Sequence, residues 1–264
     1  MSTATVARDT VLATPELLEH ILAQLPLHAL LLRVPLVCRL WHATTRAPAL
    51  QCALFFLPDP DPPSSSSASS EFSSSSAPAP APAPVPNPLL AALFPPFFAS
   101  PPPPDRYTWP TAHALMAMPA ARTPAAFARA DASWRGMLVA RPPVRALRVV
   151  QRVHARGGDF ARSATVEFRG AGRGEGEGEG EGGELRMGAL YDLAAGGVKR
   201  AGSAFCVTWH AGEGEGRECD VTLETVDTMQ FVDGRAGPLT EAFYGHGEGP
   251  RVKFAEWVCV LREP

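Results

Sequence analysis

Residues 14–56 read TPELLEHILAQLPLHALLLRVPLVCRLWHATTRAPALQCALFF, and this stretch decides how the first part of the chain folds. Thr14-Pro15-Glu16 is a helix start: threonine can cap free amides, proline is preset for the first turn, and glutamate meets the positive end of the helix dipole. Leu17, Leu18, Ile21, Leu22 and Leu25 then form one apolar stripe. Pro26 ends that helix and opens a short second one from Leu27 to Arg33, whose Leu30, Leu31 and Leu32 are more than so small a unit can cover. A third helix is expected from Pro35 to Arg46, with Val37, Cys38, Leu40 and Trp41 apolar, and Ala49 to Phe56 supplies a further apolar turn.

Three short helices in about 40 residues sit near the lower size limit for independent folding, because so little of the chain can be sheltered. Part of this apolar surface is therefore expected to meet a partner. Each large side chain fully removed from water contributes roughly 1.5–3 kcal/mol, so a few exposed leucines suffice for specific docking before association costs are deducted. Trp41 is of the residue type preferred as an interface anchor. The alternative reading makes these residues the core of an ordinary helical hairpin.

Outward from this module the composition changes abruptly. Leu57 to Asp105 is dominated by proline, serine and alanine, with serines from Ser64 to Ser76 and alternating Ala-Pro from Ala77 to Pro84. Proline fixes φ and removes a donor, and serine has nothing to bury, so a disordered, partly polyproline II linker is expected. One island, Asn87 to Phe98, reads NPLLAALFPPFF and is apolar enough to dock on a folded neighbour, either as a functional docking segment or, the favoured reading, as structural packing. Beyond the linker, Ala125 to Val139 carries Phe127, Trp134 and Leu138 at helical spacing and stops at Arg141-Pro142-Pro143. Val144 to Val153, Ala164 to Phe168, Ala204 to Trp209, Cys219 to Val226 and Val252 to Leu261 read as strands. The expected organisation is α+β: a helical module at 12–56, a linker at 57–105 with its island at 87–98, and a C-terminal mixed α/β domain at 106–264 that is rich in strands.

Few residues suggest chemistry. The tract from Gly170 to Gly183 alternates glycine and glutamate, and Glu175, Glu177, Glu179 and Glu181 would repel the phosphate that a glycine-rich loop binds, so an acidic loop is expected. Gly212 to Gly216 reads the same way. The seven histidines include no H-E-x-x-H, and the five cysteines include no close pair, so neither a metal nor another cofactor is expected. Cys206 and His210 lie near Cys219 and Asp220 and could assemble a nucleophile site, but no local signature marks one; Asp192 could pair with Glu224 or Asp227. Arg141, Arg145, Arg148, Arg152 and Arg156, with Arg162, Arg169 and Arg173 beyond, could form a basic face that binds an acidic or phosphorylated segment through Arg145, Arg148 and Arg152. Its competing reading is a solvated strand face.

The order of elements resembles the F-box: a proline-led first helix with paired leucines, a Leu25-Pro26 break, and the V-C-R-x-W element Val37-Cys38-Arg39-Leu40-Trp41, which is the most specific part. NPLLAALFPPFF, and Ala132 to Leu138 followed by Pro142-Pro143, resemble stretches downstream of the F-box in many fungal F-box proteins of unassigned substrate. The resemblance implies a non-catalytic subunit of a ubiquitin ligase that binds a Skp-type adaptor, and through it a cullin, while the rest of the chain selects an unknown protein substrate. Carried over residue by residue, the adaptor-binding positions are Pro15, Leu17, Leu18, Ile21, Leu22, Leu30, Val37, Cys38 and Trp41. Pro35 departs from the family pattern, where a polar or helix-forming residue is usual, and shifts the implied start of the third helix later. The alternative function is a non-ligase scaffold that uses the same helices for another partner or for its own fold.

A net charge of -3 gives no basic field for nucleic acid or a membrane surface, so neither is expected as a partner. Met1 to Val11 lacks the pattern of a secretory signal, and Leu25 to Val37 is too short and too interrupted to span a bilayer. With cysteines expected to be reduced, the sequence points to the cytoplasm or nucleus.

Overall fold

The computed structural model describes residues 11–59, 84–99, 108–118, 127, 129–155, 158–168, 183–198, 202–210, 219–228 and 258–260. The chain divides into two units, Met1–Pro62 and Pro63–Pro264. The tracts at 60–83, 169–182 and 211–218, the start of the last expected strand at 252–257, and Arg156, Arg169 and Arg173 lie outside the described residues.

Prolines punctuate the first unit because each sits where a helix has no use for an amide donor. Pro15 opens α1 (Pro15–Leu22), Pro26 precedes α2 (Leu27–Leu32), Pro35 lies within a 3-10 turn (Val34–Leu36), and Pro48 opens α4 (Pro48–Ala53). Between them, α3 spans Arg39–Thr44. The third helix thus opens at Arg39 rather than at Pro35, since the proline locks a tight turn and Cys38 then takes extended backbone before the helix begins. The core joins Leu18 and Leu22 of α1, Leu30 of α2, Val34 of the turn, and Leu50 and Leu54 at the end of α4. Leu12, Leu27, Leu31, Trp41 and Phe56 pack around it. Thr44 and Thr45 are buried and donate to the Leu40 and His42 carbonyls, while the Gln51 side chain donates to the Thr45 carbonyl and fastens α4 to the end of α3. Phe55 closes α4 at φ 64, a left-handed cap that lets the Phe56 and Leu57 amides both reach the Gln51 carbonyl.

The second unit is built on a five-stranded sheet of order β5-β6-β3-β4-β7, with β3 (Ala146–Ala155), β4 (Gly158–Glu167), β5 (Ala204–Trp209), β6 (Val221–Thr228) and β7 (Val258–Val260). β3 and β4 form an antiparallel hairpin from Ala146↔Glu167 to Ala155↔Gly158, β3 and β6 run parallel, and the outer pairs are antiparallel. One face carries Leu147 and Val149, Val221 and Leu223, and Phe205 and Val207, all buried. On it packs the helix of Met187–Gly197, which the sequence reading missed because its glycines and alanines leave only a weak apolar stripe. Its last residue must be small: a Cβ on Gly197 would lie 2.5 Å from Cγ2 of Thr225.

The apolar island at 87–98 folds into this same unit. A short ladder pairs β1 (Val85–Pro86) with β2 (Ala140–Arg141), after which α5 (Pro88–Leu93), α6 (Pro95–Phe98) and Phe94 between them bury Leu90, Phe94 and Phe97 completely. Phe94 meets Phe127, Trp134 and Tyr191, and Phe97 meets Phe205, in one aromatic cluster. Asn87, itself 0 % exposed, holds the arrangement: its Oδ1 accepts from the Leu89 and Leu90 amides and its Nδ2 donates to the Leu138 carbonyl at 3.1 Å.

The helix expected over 125–139 is replaced, after Phe127, by a 3-10 turn at Ser133–Gly136 and extended backbone. Met137, Leu138, Val139 and Ala140 are all buried in succession, a pattern that suits extended chain with neighbours on both sides and no helix with a single buried face. β4 also begins earlier than expected, because Gly158-Asp159 belongs to the ladder and not to a long loop. The observed architecture is α+β.

Candidate functional site

On α1 the paired residues of the sequence separate. Leu18 and Leu22 are 0 % exposed, whereas Leu17 and Ile21, one position earlier in each pair, are 45 % and 40 % exposed. Successive residues on a helix differ by about 100°, so two adjacent leucines cannot both face one core. Leu30 is buried, Trp41 is half-buried against the core, and Pro15, Val37 and Cys38 are exposed. Of the nine positions expected to meet a partner, the surface therefore holds Pro15, Leu17, Ile21, Val37 and Cys38, while Leu18, Leu22 and Leu30 hold the unit together.

The nine carried-over positions do not include Leu36, which is 83 % exposed, nor Leu40 and Leu32, also exposed, although Leu32 is among the leucines that are more than the unit can cover. The missing signal was register: the Pro35 turn rotates Leu36 outward, where a helix from Pro35 would place it differently. Of the eleven large apolar side chains exposed among the described residues, seven lie between Leu17 and Leu40, so the exposure is concentrated and not scattered. Their carriers are packed together, α1 on α3 and the 3-10 turn on both α2 and α3.

In the second unit the expected chemical groups go separate ways. Cys206 lies opposite Glu224 and His210 opposite Asp220, four positions apart along an extended strand, which is about 13 Å. Burial pushes the Cys206 thiol up, opposed by a hydrogen bond with Thr208 and reinforced, least of the three, by the nearby Glu224; a nucleophile needs the reverse. His210 Nε2 lies 2.9 Å from Thr222 Oγ1, and Cys219 Sγ is 3.6 Å from the same hydroxyl. Asp192 pairs with Arg135, Glu224 with Arg152, and Asp227 accepts from Ser203 at 3.2 Å, so these carboxylates have different partners. Burial raises Asp192 above the usual carboxylate range despite the pull of Arg135.

The arginines also divide. Arg148 and Arg152 share one face of β3, Arg162 reaches Gln151 on the other, and Arg145 precedes the strand, its amide donating to Asp220 at 2.7 Å. Among the described residues no group of three or more His, Cys, Asp or Glu could hold a metal ion, and no helix is long and apolar enough to cross a membrane. Comparison with protein-family models, curated proteins and solved structures gave no match to this chain.

Proposed function

We propose that the chain is an F-box adaptor, a non-catalytic substrate-recognition subunit of a Skp-cullin-F-box ubiquitin ligase, and that its first unit docks a Skp-type adaptor through Leu17, Ile21, Leu32, Leu36, Val37 and Leu40. The observation that carries this reading is the concentration of exposed large apolar side chains on short helices whose own core is already filled by Leu18, Leu22, Leu30, Val34, Leu50 and Leu54. Fully burying such side chains is worth roughly 1.5–3 kcal/mol each, enough for a specific interface after the cost of association. The proline-led helix and the Val37 to Trp41 element supply the family resemblance. The second unit, in this reading, presents the substrate side, and ubiquitin transfer belongs to other subunits.

The test is co-elution of the purified full chain with a Skp-type adaptor in size-exclusion chromatography. A stoichiometric complex supports the reading. Absence of any complex, with the chain folded by circular dichroism, overturns it in favour of a scaffold with a different partner.

A further inference from the structure

Leu30, Val34, Val37 and Trp41 are spaced at i, i+4, i+7 and i+11, the pattern of one face of a single continuous helix. Three of the four keep to that face: Leu30 and Val34 are buried in the core of the first unit, and Trp41 packs against it. Val37 does not. It is 56 % exposed and lies in an unbroken exposed run from Leu36 to Leu40. At about 100° per residue, five successive positions sweep the whole circumference of a helix, so no helix packed on one side leaves all of them in solvent.

Pro35 is the cause. Inside a helix its ring would meet the Leu31 carbonyl, and its nitrogen has no hydrogen to donate there. α2 accordingly stops at Leu32, and the chain continues as a 3-10 turn in which the Leu36 amide donates to the Arg33 carbonyl at 3.1 Å and the Val37 amide to the Val34 carbonyl at 3.2 Å. Cys38 then extends, at φ -164 and ψ 172, before α3 opens at Arg39 and returns Trp41 to the core. One residue of the inward face, Val37, is thereby turned out beside Leu36, itself 83 % exposed. Pro35 is also where the chain departs from the F-box pattern, so the resemblance does not supply this displacement.

We infer that Pro35 is a positioning residue for adaptor docking: it takes Val37 out of the core face and sets it with Leu36 as an apolar pair for a partner that offers both a socket. This deepens the reading of the first unit as the adaptor-binding module and rests on it. Without Pro35, the spacing predicts one helix from Leu27 to Thr44 with Val37 facing inward.

A Pro35→Ala protein tests this through a crossed pattern of effects. Amide exchange of the 15N-labelled full chain reports the stability of the first unit at Leu18, Leu30 and Leu54, whose amides are hydrogen-bonded within it. Val37→Ala should leave that protection unchanged in the wild type, where the side chain is exposed, and lower it roughly tenfold or more in Pro35→Ala, where it joins the core. Binding of a Skp-type adaptor should respond the other way round. Val37→Ala should raise Kd about threefold or more in the wild type and have no effect in Pro35→Ala, which itself should bind more weakly at undiminished protection. Equal effects of Val37→Ala on exchange in the two backgrounds, or adaptor binding by Pro35→Ala as tight as by the wild type, overturns the inference. So does a Pro35→Ala protein that loses the amide dispersion of the first unit, since Pro35 would then serve the fold alone. The exchange measurement contains no adaptor, so a chain that shows the crossed exchange pattern but binds no Skp-type protein locates the failure in the docking reading and not in the placement of Val37.

Discussion

Truncating Leu17 and Ile21 together should weaken adaptor binding while sparing the fold, and truncating Leu18 should do the opposite. The magnitudes follow from exposure. Leu17 and Ile21 leave 45 % and 40 % of their surface for a partner to cover, while Leu18 leaves 0 %. At roughly 1.5–3 kcal/mol for full burial, and with alanine retaining one methyl, the double change Leu17→Ala/Ile21→Ala should cost about 1–2 kcal/mol of binding, which is roughly a 5- to 30-fold rise in Kd. Its cost to stability should stay within about 1 kcal/mol, as neither side chain leaves a sealed cavity. Leu18→Ala empties a core site and should cost about 2–5 kcal/mol, a large share of the 5–15 kcal/mol that usually separates folded from unfolded chains. Isothermal titration with a Skp-type adaptor reads the first quantity and thermal unfolding the second. Unchanged affinity in the folded Leu17→Ala/Ile21→Ala protein would refute the assignment of this strip to docking.

Three further expectations concern the second unit. Asn87→Ala removes a cap worth about 1 kcal/mol and strands the buried Leu138 carbonyl at about 1–3 kcal/mol, so the midpoint of denaturant unfolding should fall clearly, and Asn87→Asp, which keeps the cap but sets a buried carboxylate oxygen against the Leu138 carbonyl, should not restore it. Gly197→Ala forces a Cβ to within 2.5 Å of Thr225 and should destabilise by about 1–3 kcal/mol, whereas a Cβ on the adjacent Gly196 meets nothing within 4 Å, so Gly196→Ala should stabilise by roughly 0.5–1 kcal/mol in the same assay. Burial holds the Asp192 carboxyl above its unfolded value, so its proton favours the folded state at low pH and that contribution is lost as pH rises through the folded value; unfolding followed from about pH 4 to pH 7 should show the wild type losing stability relative to Asp192→Asn.

The fold was legible in the sequence wherever periodicity and punctuation agreed. β5 was read to the residue from Ala204-Phe205-Cys206-Val207-Thr208-Trp209, a short apolar run with a glycine and a serine before it and a glycine-rich tract beyond. The region after Phe127 misled because Trp134 and Leu138 are four apart, which is helical spacing, yet four buried residues in succession from Met137 to Ala140 require extended chain. Helix Met187–Gly197 was invisible for the converse reason: its glycines are poor helix formers, and only tertiary neighbours, Arg135 beside Gly188 and Thr225 beside Gly197, account for two of the three. The candidate sites were less legible still. Which member of a leucine pair faces inward, and which arginine meets a carboxylate, depend on tertiary neighbours that one sequence does not name.

The breadth of the α1 stripe and the smallness of the first unit are one physical fact. Leu17, Leu18, Ile21 and Leu22 span more of the helix circumference than a single neighbour can cover, and the core uses only Leu18 and Leu22. A larger domain would close the remainder with another helix. Among the described residues none closes over Leu17 and Ile21, so a partner that covers them supplies burial these residues lack, and binding must stabilise the folded state by linkage. At a hundredfold excess of adaptor over Kd that gain is about 2.7 kcal/mol, and it should appear as a rise in the melting temperature of the first unit. The Leu17→Ala/Ile21→Ala protein should need a proportionally higher adaptor concentration for the same rise. A melting temperature indifferent to the adaptor at saturation would mean that the strips are covered by something else.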